Sequence, residues 1–197
     1  MSFCLAIKAC SVFSFHLSPF KMFLEKIKHI KAFILDVDGV LTDGTVLVTE
    51  TGEQHRRFNI KDGYALQLAV KRGYHVMVLS GGRSKGIELR LKGLGITDVF
   101  LGLDSKIETY QSFLKSSGLS ADNILYMGDD IPDLPVTKLV GLATCPADAV
   151  EEIKAVCDYI SPKKGGQGCV RDIIEKVLKI RGDWHDENPS AQDGSLN

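Results

Sequence analysis

The most informative part of the sequence is Lys31-Ala32-Phe33-Ile34-Leu35-Asp36-Val37-Asp38-Gly39, a short apolar run that ends in two acids and a glycine. Similar apolar runs occur at 76–79, 99–101 and 124–127, and weaker ones at 140–143 and 159–160. Runs that are apolar on both faces are typical of strands buried within a parallel sheet. We therefore predict a sheet whose strands are spread over most of the chain.

Amphipathic segments separate these runs. Apolar residues recur at helical spacing in segments 63–71, 84–94, 106–115, 147–157 and 170–180. Gly73, Gly95 and Gly118 follow three of the segments, at positions where glycine commonly ends a helix. Strands that alternate with helices predict right-handed βαβ units. The fold class expected is α/β, a three-layer, doubly wound (Rossmann-like) parallel sheet.

One segment departs from the alternation. Residues 45–49 and 54–58 flank the loop Glu50-Thr51-Gly52-Glu53, which predicts a β-hairpin directly after the first strand. Ligands of open α/β sheets bind at the carboxyl ends of the strands. A hairpin at this place is therefore expected to act as a flap over the binding site.

Composition excludes several classes of protein. The 197 residues suit one ordinary domain, and 24 Lys and Arg against 25 Asp and Glu leave a formal charge of −1. A nucleic-acid or anionic-membrane binder would need a basic excess, so neither partner is expected. No apolar stretch is long enough to predict a membrane span. Free thiols in the cytoplasm are predicted, because no CxxC spacing occurs among Cys4, Cys10, Cys145, Cys157 and Cys169.

The two ends of the chain differ from the middle. Residues 1–21 are expected to be a dispensable extension, or to precede a true start at Met22. Residues 22–181 form the predicted domain. Residues 182–197 are polar apart from Trp184 and are expected to form a flexible tail.

Four polar features follow predicted strands. They are the pair Asp36 and Asp38, the hydroxyl of Ser80 with the loop at Gly81, Lys106, and the cluster Gly128-Asp129-Asp130-Ile131-Pro132-Asp133. Free backbone N–H groups beside a hydroxyl can hold a phosphate. Two acidic clusters in one crevice need a cation, and oxygen ligands favour Mg²⁺.

This combination of acids, hydroxyl, lysine and acids resembles the haloacid dehalogenase superfamily of phosphotransferases, over about residues 30–180. The resemblance implies that Asp36 is the nucleophile, which forms an aspartyl-phosphate, and that Asp38 is the general acid and base. Ser80 and Lys106 would hold the phosphoryl oxygens. The implied Mg²⁺ ligands are Asp36, the backbone carbonyl of Asp38 and Asp129, with support from Asp130 and Asp133.

Members of that superfamily with a cap domain insert it after the first motif or after the lysine. The stretches from Asp38 to Val76 and from Lys106 to Gly128 are too short for one. A capless site is open unless another subunit covers it. We therefore expect a homo-oligomer in which the hairpins at 45–58 meet around the sites.

Four further segments look like the 3-deoxy-D-manno-octulosonate 8-phosphate phosphatases: 38–44, 57–64, 94–96 and 165–171. This narrower resemblance implies a capless, Mg²⁺-dependent homotetramer that releases free 3-deoxy-D-manno-octulosonate (Kdo) for lipopolysaccharide. It also implies a lid role for residues 191–197. The implied substrate-binding residues are Asp38, Asn59, Ile60, Lys61, Asp62, Gly63, Ser80, Gly81, Arg83, Arg90 and Lys106.

Three alternatives stay open. The family usually has Thr-Gly-Arg where this chain has Ser80-Gly81-Gly82-Arg83, so 9-phosphates of nine-carbon ulosonic or neuraminic acids are alternative substrates. A receiver-like phosphorylated switch domain would share the acids and the lysine, but it has no use for Asp38 as an acid or base. A domain that kept the fold and lost activity is disfavoured, because each position needed for the chemistry is present.

Overall fold

The computed structural model describes residues 19–184, with side chains from residue 21. In chain order its strands are β1 (Ala32–Leu35), β2 (Leu47–Val48), β3 (Gln54–His55), β4 (His75–Ser80), β5 (Asp98–Leu101), β6 (Ile124–Met127), β7 (Leu142–Cys145) and β8 (Tyr159–Ile160). Six of them form one sheet in the order β5-β4-β1-β6-β7-β8, and every pair is parallel. The predicted parallel sheet is confirmed, with β1 near its centre.

The helices are α1 (Pro19–Lys28), α2 (Ile60–Lys71), α3 (Lys85–Lys92), α4 (Lys106–Ser117), α5 (Leu134–Thr137), α6 (Glu151–Lys154) and α7 (Cys169–Arg181). Two short 3₁₀ turns cover Ala121–Asn123 and Ile131–Asp133. One hydrophobic cluster joins the sheet to α1, α2, α3 and α7, and a second joins its opposite face to α4 and α5. These are the three layers that the sequence predicts.

Strand β1 shows why an apolar run followed by acids builds this fold. All four of its residues are buried. Phe33 and Leu35 pack into the first cluster, whereas Ala32 and Ile34 pack into the second. Leu35 lies in register with Val78 of β4 and with Met127 of β6. The residues that follow these three strands therefore meet at one edge of the sheet.

Local signals set most helix boundaries. Helix α2 begins at Ile60 rather than at the predicted residue 63, because the Asn59 side chain caps it by accepting a hydrogen bond from the Lys61 N–H. Gly73 and Gly118 follow the ends of α2 and α4 with positive φ angles, as predicted, whereas α3 ends earlier than predicted, with Gly93 as its C-cap, and Gly95 lies in the turn beyond it. The segment predicted as a helix over 147–157 is helical only at α6, because turns flank it.

The hairpin of β2 and β3 follows β1 as predicted, although each of its strands has only two residues. It is antiparallel and extends away from the main sheet, with Leu47 69% and Val48 60% exposed. Within residues 19–184, this hairpin is the whole of the insertion between β1 and α2. The stretch between α4 and β6 holds only the 3₁₀ turn, so neither position carries a cap domain.

The described residues extend beyond the predicted domain, residues 22–181, at both ends. Helix α1 begins at Pro19, so residues 19–21 belong to the folded part. Trp184 is only 8% exposed, with its ring edge-on to Tyr64 and 5.3 Å from the Arg171 guanidinium. Trp184, near the start of the predicted tail, therefore packs against the domain, and the flexibility of the tail stays a prediction. The remaining predictions for the ends, including the lid at 191–197, lie outside the described residues, as do Cys4 and Cys10. Among residues 19–184, no helix is long and apolar enough to cross a membrane.

Candidate active site

The loops after β1, β4, β5 and β6 enclose a cleft of about 660 Å³ at the carboxyl edge of the sheet. It is lined by Asp36, Asp38, Ser80, Gly81, Gly82, Lys106, Asp129, Asp130 and Asp133, together with neighbouring loop residues. All residues predicted as catalytic or metal-binding therefore come together in one place. The parallel register of the three central strands produces this convergence.

Lys106 lies between two carboxylates. Its Nζ is 2.8 Å from Asp36 Oδ1 and 2.6 Å from Asp133 Oδ1, and the side chain is 8% exposed. Burial by itself would lower the pKa of Lys106, but the charges of Asp36 and Asp133 outweigh it and raise that pKa above its usual value. The lysine is therefore a fixed positive charge at the base of the cleft.

The carboxylates outnumber this lysine. Burial, and then the charge of Asp133, raise the pKa of Asp36 to about 6. Burial, followed by the charges of Asp36 and Asp133, raises the pKa of Asp129 to about 7. One oxygen of each of these three acids lies within 4.8 Å of the others. Such crowding of buried acids is relieved by a bound cation.

Asp133 does not offer a free oxygen to a metal ion. Its Oδ1 accepts hydrogen bonds from Lys106 and from the Tyr126 hydroxyl. Its Oδ2 accepts from the backbone N–H groups of Asp129, at 2.9 Å, and Asp130, at 3.3 Å. Asp133 therefore orients the lysine and the loop that carries Asp129.

Asp129 and Asp36 suit a metal ion better. Asp129 Oδ1 is buried and makes no hydrogen bond within residues 21–184, so it is an acceptor without a donor. The backbone that follows Asp38 lies against this side chain, because a Cβ on Gly39 would be 2.0 Å from Asp129 Oδ2. Two carboxylates and an adjacent backbone carbonyl are oxygen donors of the kind that Mg²⁺ prefers. The chemistry of these residues fits Mg²⁺.

We expect Asp133→Asn to lower the free energy of unfolding by about 3 kcal/mol. The two carboxylate oxygens of Asp133 accept hydrogen bonds from four donors, whereas an amide has only one acceptor oxygen. The matched control is Asp130→Asn. Asp130 is exposed and caps the adjacent 3₁₀ turn through Ile131, a role that asparagine also performs. Urea unfolding of both variants measures the difference. Equal urea midpoints for the two variants would contradict the inference that Asp133 holds Lys106 and the Asp129 loop in place.

Sequence reasoning missed Arg56. Its Nε donates to Asp38 Oδ1 at 2.6 Å and its Nη2 donates to Asp38 Oδ2 at 3.3 Å. The Arg56 side chain is 7% exposed, whereas that of the next residue, Arg57, is 88% exposed and pairs with Asp43. The sequence does not indicate which of these two adjacent arginines on the hairpin points inward.

Sequence reasoning also gave no role to the loop at Gly165 and Gly166. A Cβ on Gly165 would lie 1.9 Å from the Gly39 carbonyl oxygen. The Gly166 N–H donates to the Val40 carbonyl at 2.9 Å, and its carbonyl accepts from the Asn59 amide at 3.2 Å. This loop therefore supports the backbone turn that follows Asp38. In the sequence, the paired glycines within the family-like segment 165–171 were the signal for it.

Several predicted substrate-binding residues lie outside the cleft of the single chain. Asp62 is 1% exposed, and its Oδ1 accepts from the Arg171 N–H at the start of α7. A substrate contact through the Asp62 side chain is therefore not supported. Arg83 is absent from the cleft lining, because its side chain lies over Gly102.

The other predicted contacts form a separate group at the start of α2. Ile60 is 78% exposed and Lys61 is also exposed. Arg90 reaches across from α3, so that a Cβ on Gly63 would lie 2.5 Å from its Nη2. Within one chain this group does not line the cleft.

Comparison with known proteins gives consistent results. A family model described as haloacid dehalogenase-like hydrolase matches residues 93–173. The 3-deoxy-D-manno-octulosonate 8-phosphate phosphatase of Escherichia coli (strain K12) is 35% identical over 159 residues, which are 81% of this chain and 85% of that protein. The crystal structure of the phosphatase of that name from Yersinia pestis has a TM-score of 0.81 at 31% identity, covering 83% of this chain and 88% of that one. The phosphatase of that name from Moraxella catarrhalis, solved with magnesium ion, phosphate ion and a KDO molecule, has a TM-score of 0.80 at 34% identity, covering 82% and 93%.

Proposed function

The chain belongs to the 3-deoxy-D-manno-octulosonate 8-phosphate (Kdo 8-phosphate) phosphatases within the haloacid dehalogenase-like hydrolases, and on that premise we propose that it hydrolyses Kdo 8-phosphate to Kdo and phosphate with Mg²⁺. The observation that carries the proposal is the cleft in which Asp36, Asp38, Lys106 and Asp129 converge at the ends of parallel strands. Release of free Kdo would serve lipopolysaccharide synthesis.

We assign the covalent chemistry to Asp36. A carboxylate oxygen of Asp36 attacks phosphorus, the ester P–O bond breaks, and an aspartyl-phosphate forms. Asp38 gives its proton to the leaving sugar oxygen and later removes a proton from the attacking water. Water then displaces Asp36 from phosphorus, which releases inorganic phosphate and restores both acids.

The remaining charges act on the phosphoryl group. Lys106 is held at the base of the cleft and donates to phosphoryl oxygens, as does the hydroxyl of Ser80. Asp36, Asp129 and the backbone carbonyl of Asp38 would hold Mg²⁺, which when bound neutralises phosphoryl charge. Asp133 keeps Lys106 and the Asp129 loop in place, and Asp130 supports the same loop.

We further propose that the protein is a homotetramer that acts in the cytoplasm. The exposed apolar residues Leu47, Val48 and Ile60 on and beside the hairpin support a subunit interface, because exposed apolar patches commonly mark interfaces. A neighbouring subunit would then present Ile60, Lys61 and Arg90 to a cleft that its own chain leaves open. Free thiols at Cys145, Cys157 and Cys169 suit a reducing compartment.

A nine-carbon sugar acid 9-phosphate is the second candidate substrate. The observation that favours it is Arg83, which packs over Gly102 instead of lining the cleft. A receiver-like switch is a weaker candidate. Asp38 faces the cleft with an arginine partner of its own, and a switch that only accepts phosphate needs no such acid.

The test measures phosphate release with Mg²⁺ from Kdo 8-phosphate and from nine-carbon 9-phosphates, with EDTA-treated protein as the metal-free control. We expect turnover of Kdo 8-phosphate that EDTA abolishes and added Mg²⁺ restores, because crowded buried acids need the cation. Preference for a nine-carbon ester would change the assigned substrate to a nine-carbon sugar acid 9-phosphate and leave the mechanism unchanged. Phosphorylation of Asp36 by a small donor without turnover of any ester would support the switch instead.

A further inference from the structure

The ion pair between Arg56 and Asp38 joins the hairpin to the cleft. We propose that Arg56 is a positioning residue that holds the Asp38 carboxylate in the orientation needed for proton transfer, and that the hairpin delivers this arginine. The inference rests on the proposed function, since it gives a task to a side chain that acts through Asp38.

Within residues 21–184, both short strands of the hairpin are exposed, and the neighbouring Arg57 pairs with the loop acid Asp43. Arg56 differs, because its side chain is buried against the domain by the fork of two hydrogen bonds to Asp38. A planar guanidinium that bonds both oxygens of a carboxylate fixes the rotation of that carboxylate as well as its position.

The remaining guanidinium nitrogen of Arg56, Nη1, indicates that the contact with Asp38 determines where the Arg56 side chain lies. Arg56 Nη1 is buried and has no hydrogen-bond partner within residues 21–184. A long arginine side chain on an exposed hairpin could keep this group in water. A buried donor without an acceptor is unfavourable, so the contact with Asp38 must compensate for it.

The two Asp38 oxygens are held unequally. Oδ1 receives the shorter bond, at 2.6 Å, and Oδ2 the longer one, at 3.3 Å. A Cβ on Gly82 would lie 3.1 Å from Asp38 Oδ2 and 3.4 Å from Ser80 Oγ, so Oδ2 lies beside the phosphoryl-binding loop. We therefore assign to Oδ2, which has the longer bond to Arg56 and lies beside this loop, the transfer of the proton to the leaving sugar oxygen as the P–O bond breaks. The same atom takes the proton from water when the Asp36–phosphorus bond breaks.

The experiment compares two esters that differ in their need for that proton. Loss of the sugar alkoxide from Kdo 8-phosphate requires protonation, whereas p-nitrophenolate leaves p-nitrophenyl phosphate without it. Single-turnover cleavage of both esters is measured with Mg²⁺ for the wild type, Arg56→Ala and Arg56→Lys. Arg57→Ala, the adjacent exposed arginine, is the matched control, and thermal unfolding checks that each variant is folded.

We expect Arg56→Ala to slow cleavage of Kdo 8-phosphate by about 100-fold, in the range that general acid catalysis contributes. Release of p-nitrophenolate should change by less than about threefold, while the next step, hydrolysis of the aspartyl-phosphate, slows with the loss of an oriented base. Arg56→Lys should recover part of the loss, since it keeps the charge without the fork. Arg57→Ala should leave both cleavage rates unchanged.

Equal losses with the two esters would overturn the inference, because a purely structural arginine would affect both alike. Undiminished cleavage of Kdo 8-phosphate by Arg56→Ala would also overturn it. The wild-type rates separate this inference from the proposed function. If the wild type cleaves p-nitrophenyl phosphate but not Kdo 8-phosphate, the substrate assignment fails, and the same comparison is made with an alkyl ester such as a hexose 6-phosphate.

Discussion

Replacement of Asp36 by asparagine is expected to lower phosphate release by about 10⁴-fold or more, because an amide cannot form the aspartyl-phosphate. The variant should stay folded. Burial and the charge of Asp133 raise the pKa of Asp36 to about 6, so the unfolded chain ionises this acid more readily than the folded protein does, and stability falls as the pH rises from about 4 to about 6. Neutral asparagine avoids that loss, and at pH 7.5 without metal the melting temperature should be no lower than that of the wild type.

Two measurements check this expectation. Rapid acid quenching with labelled substrate should trap phosphate on the wild type and none on Asp36→Asn. Thermal unfolding should show a folded variant. The matched control is Asp43→Asn on the loop that follows, where the acid pairs with Arg57 outside the cleft lining. Trapped phosphate on Asp36→Asn would contradict the assignment of the nucleophile.

Gly39→Ala is expected to weaken Mg²⁺ binding by at least about 100-fold, and activity at moderate Mg²⁺ along with it. The added Cβ would lie 2.0 Å from Asp129 Oδ2, so that side chain must leave its place beside Asp36. The φ angle of Gly39 is +85°, which adds strain of about 1 kcal/mol for any residue with a Cβ.

Gly52→Ala separates the clash from the strain. Gly52 lies in the hairpin loop with a φ angle of +82°, and its Cβ would meet nothing within 4 Å. This control should lose about 1 kcal/mol of stability and keep its affinity for Mg²⁺. Titration calorimetry with Mg²⁺ on both variants is the measurement. Equal affinities would show that Asp129 is not needed close to Asp36.

The core of the site could be predicted because it depends on strand ends. Asp36, Ser80 and Asp129 follow apolar runs, and parallel strands bring such positions to one edge whatever the loops do. Glycine also gave reliable helix ends, since a positive φ angle at Gly73 or Gly118 is a local requirement.

The rest depends on contacts between distant segments that have no local pattern. Arg56 and Arg57 are chemically alike, and only the path of the hairpin turns one of them inward. In the sequence, Asp62 and Lys61 are both polar residues at the start of a helix, which predicts that both are exposed. The beginning of α7 nevertheless buries Asp62. Trp184 looked like part of a polar tail, but Tyr64 and Arg171 provide a surface for its ring.

The contact between the Gly165–Gly166 loop and the turn after Asp38 has a consequence for protein synthesis. The thiol of Cys169 donates to the Val40 carbonyl across 129 positions of the chain, and Gly165 lies directly on Gly39. A ribosome makes the chain from its N-terminus, so the nucleophile is translated long before the segment that supports its loop. The catalytic turn therefore reaches its final shape only after residue 169 has emerged. A nascent chain that stops before that point lacks α7, which packs into the main hydrophobic cluster, and cannot form the finished active site.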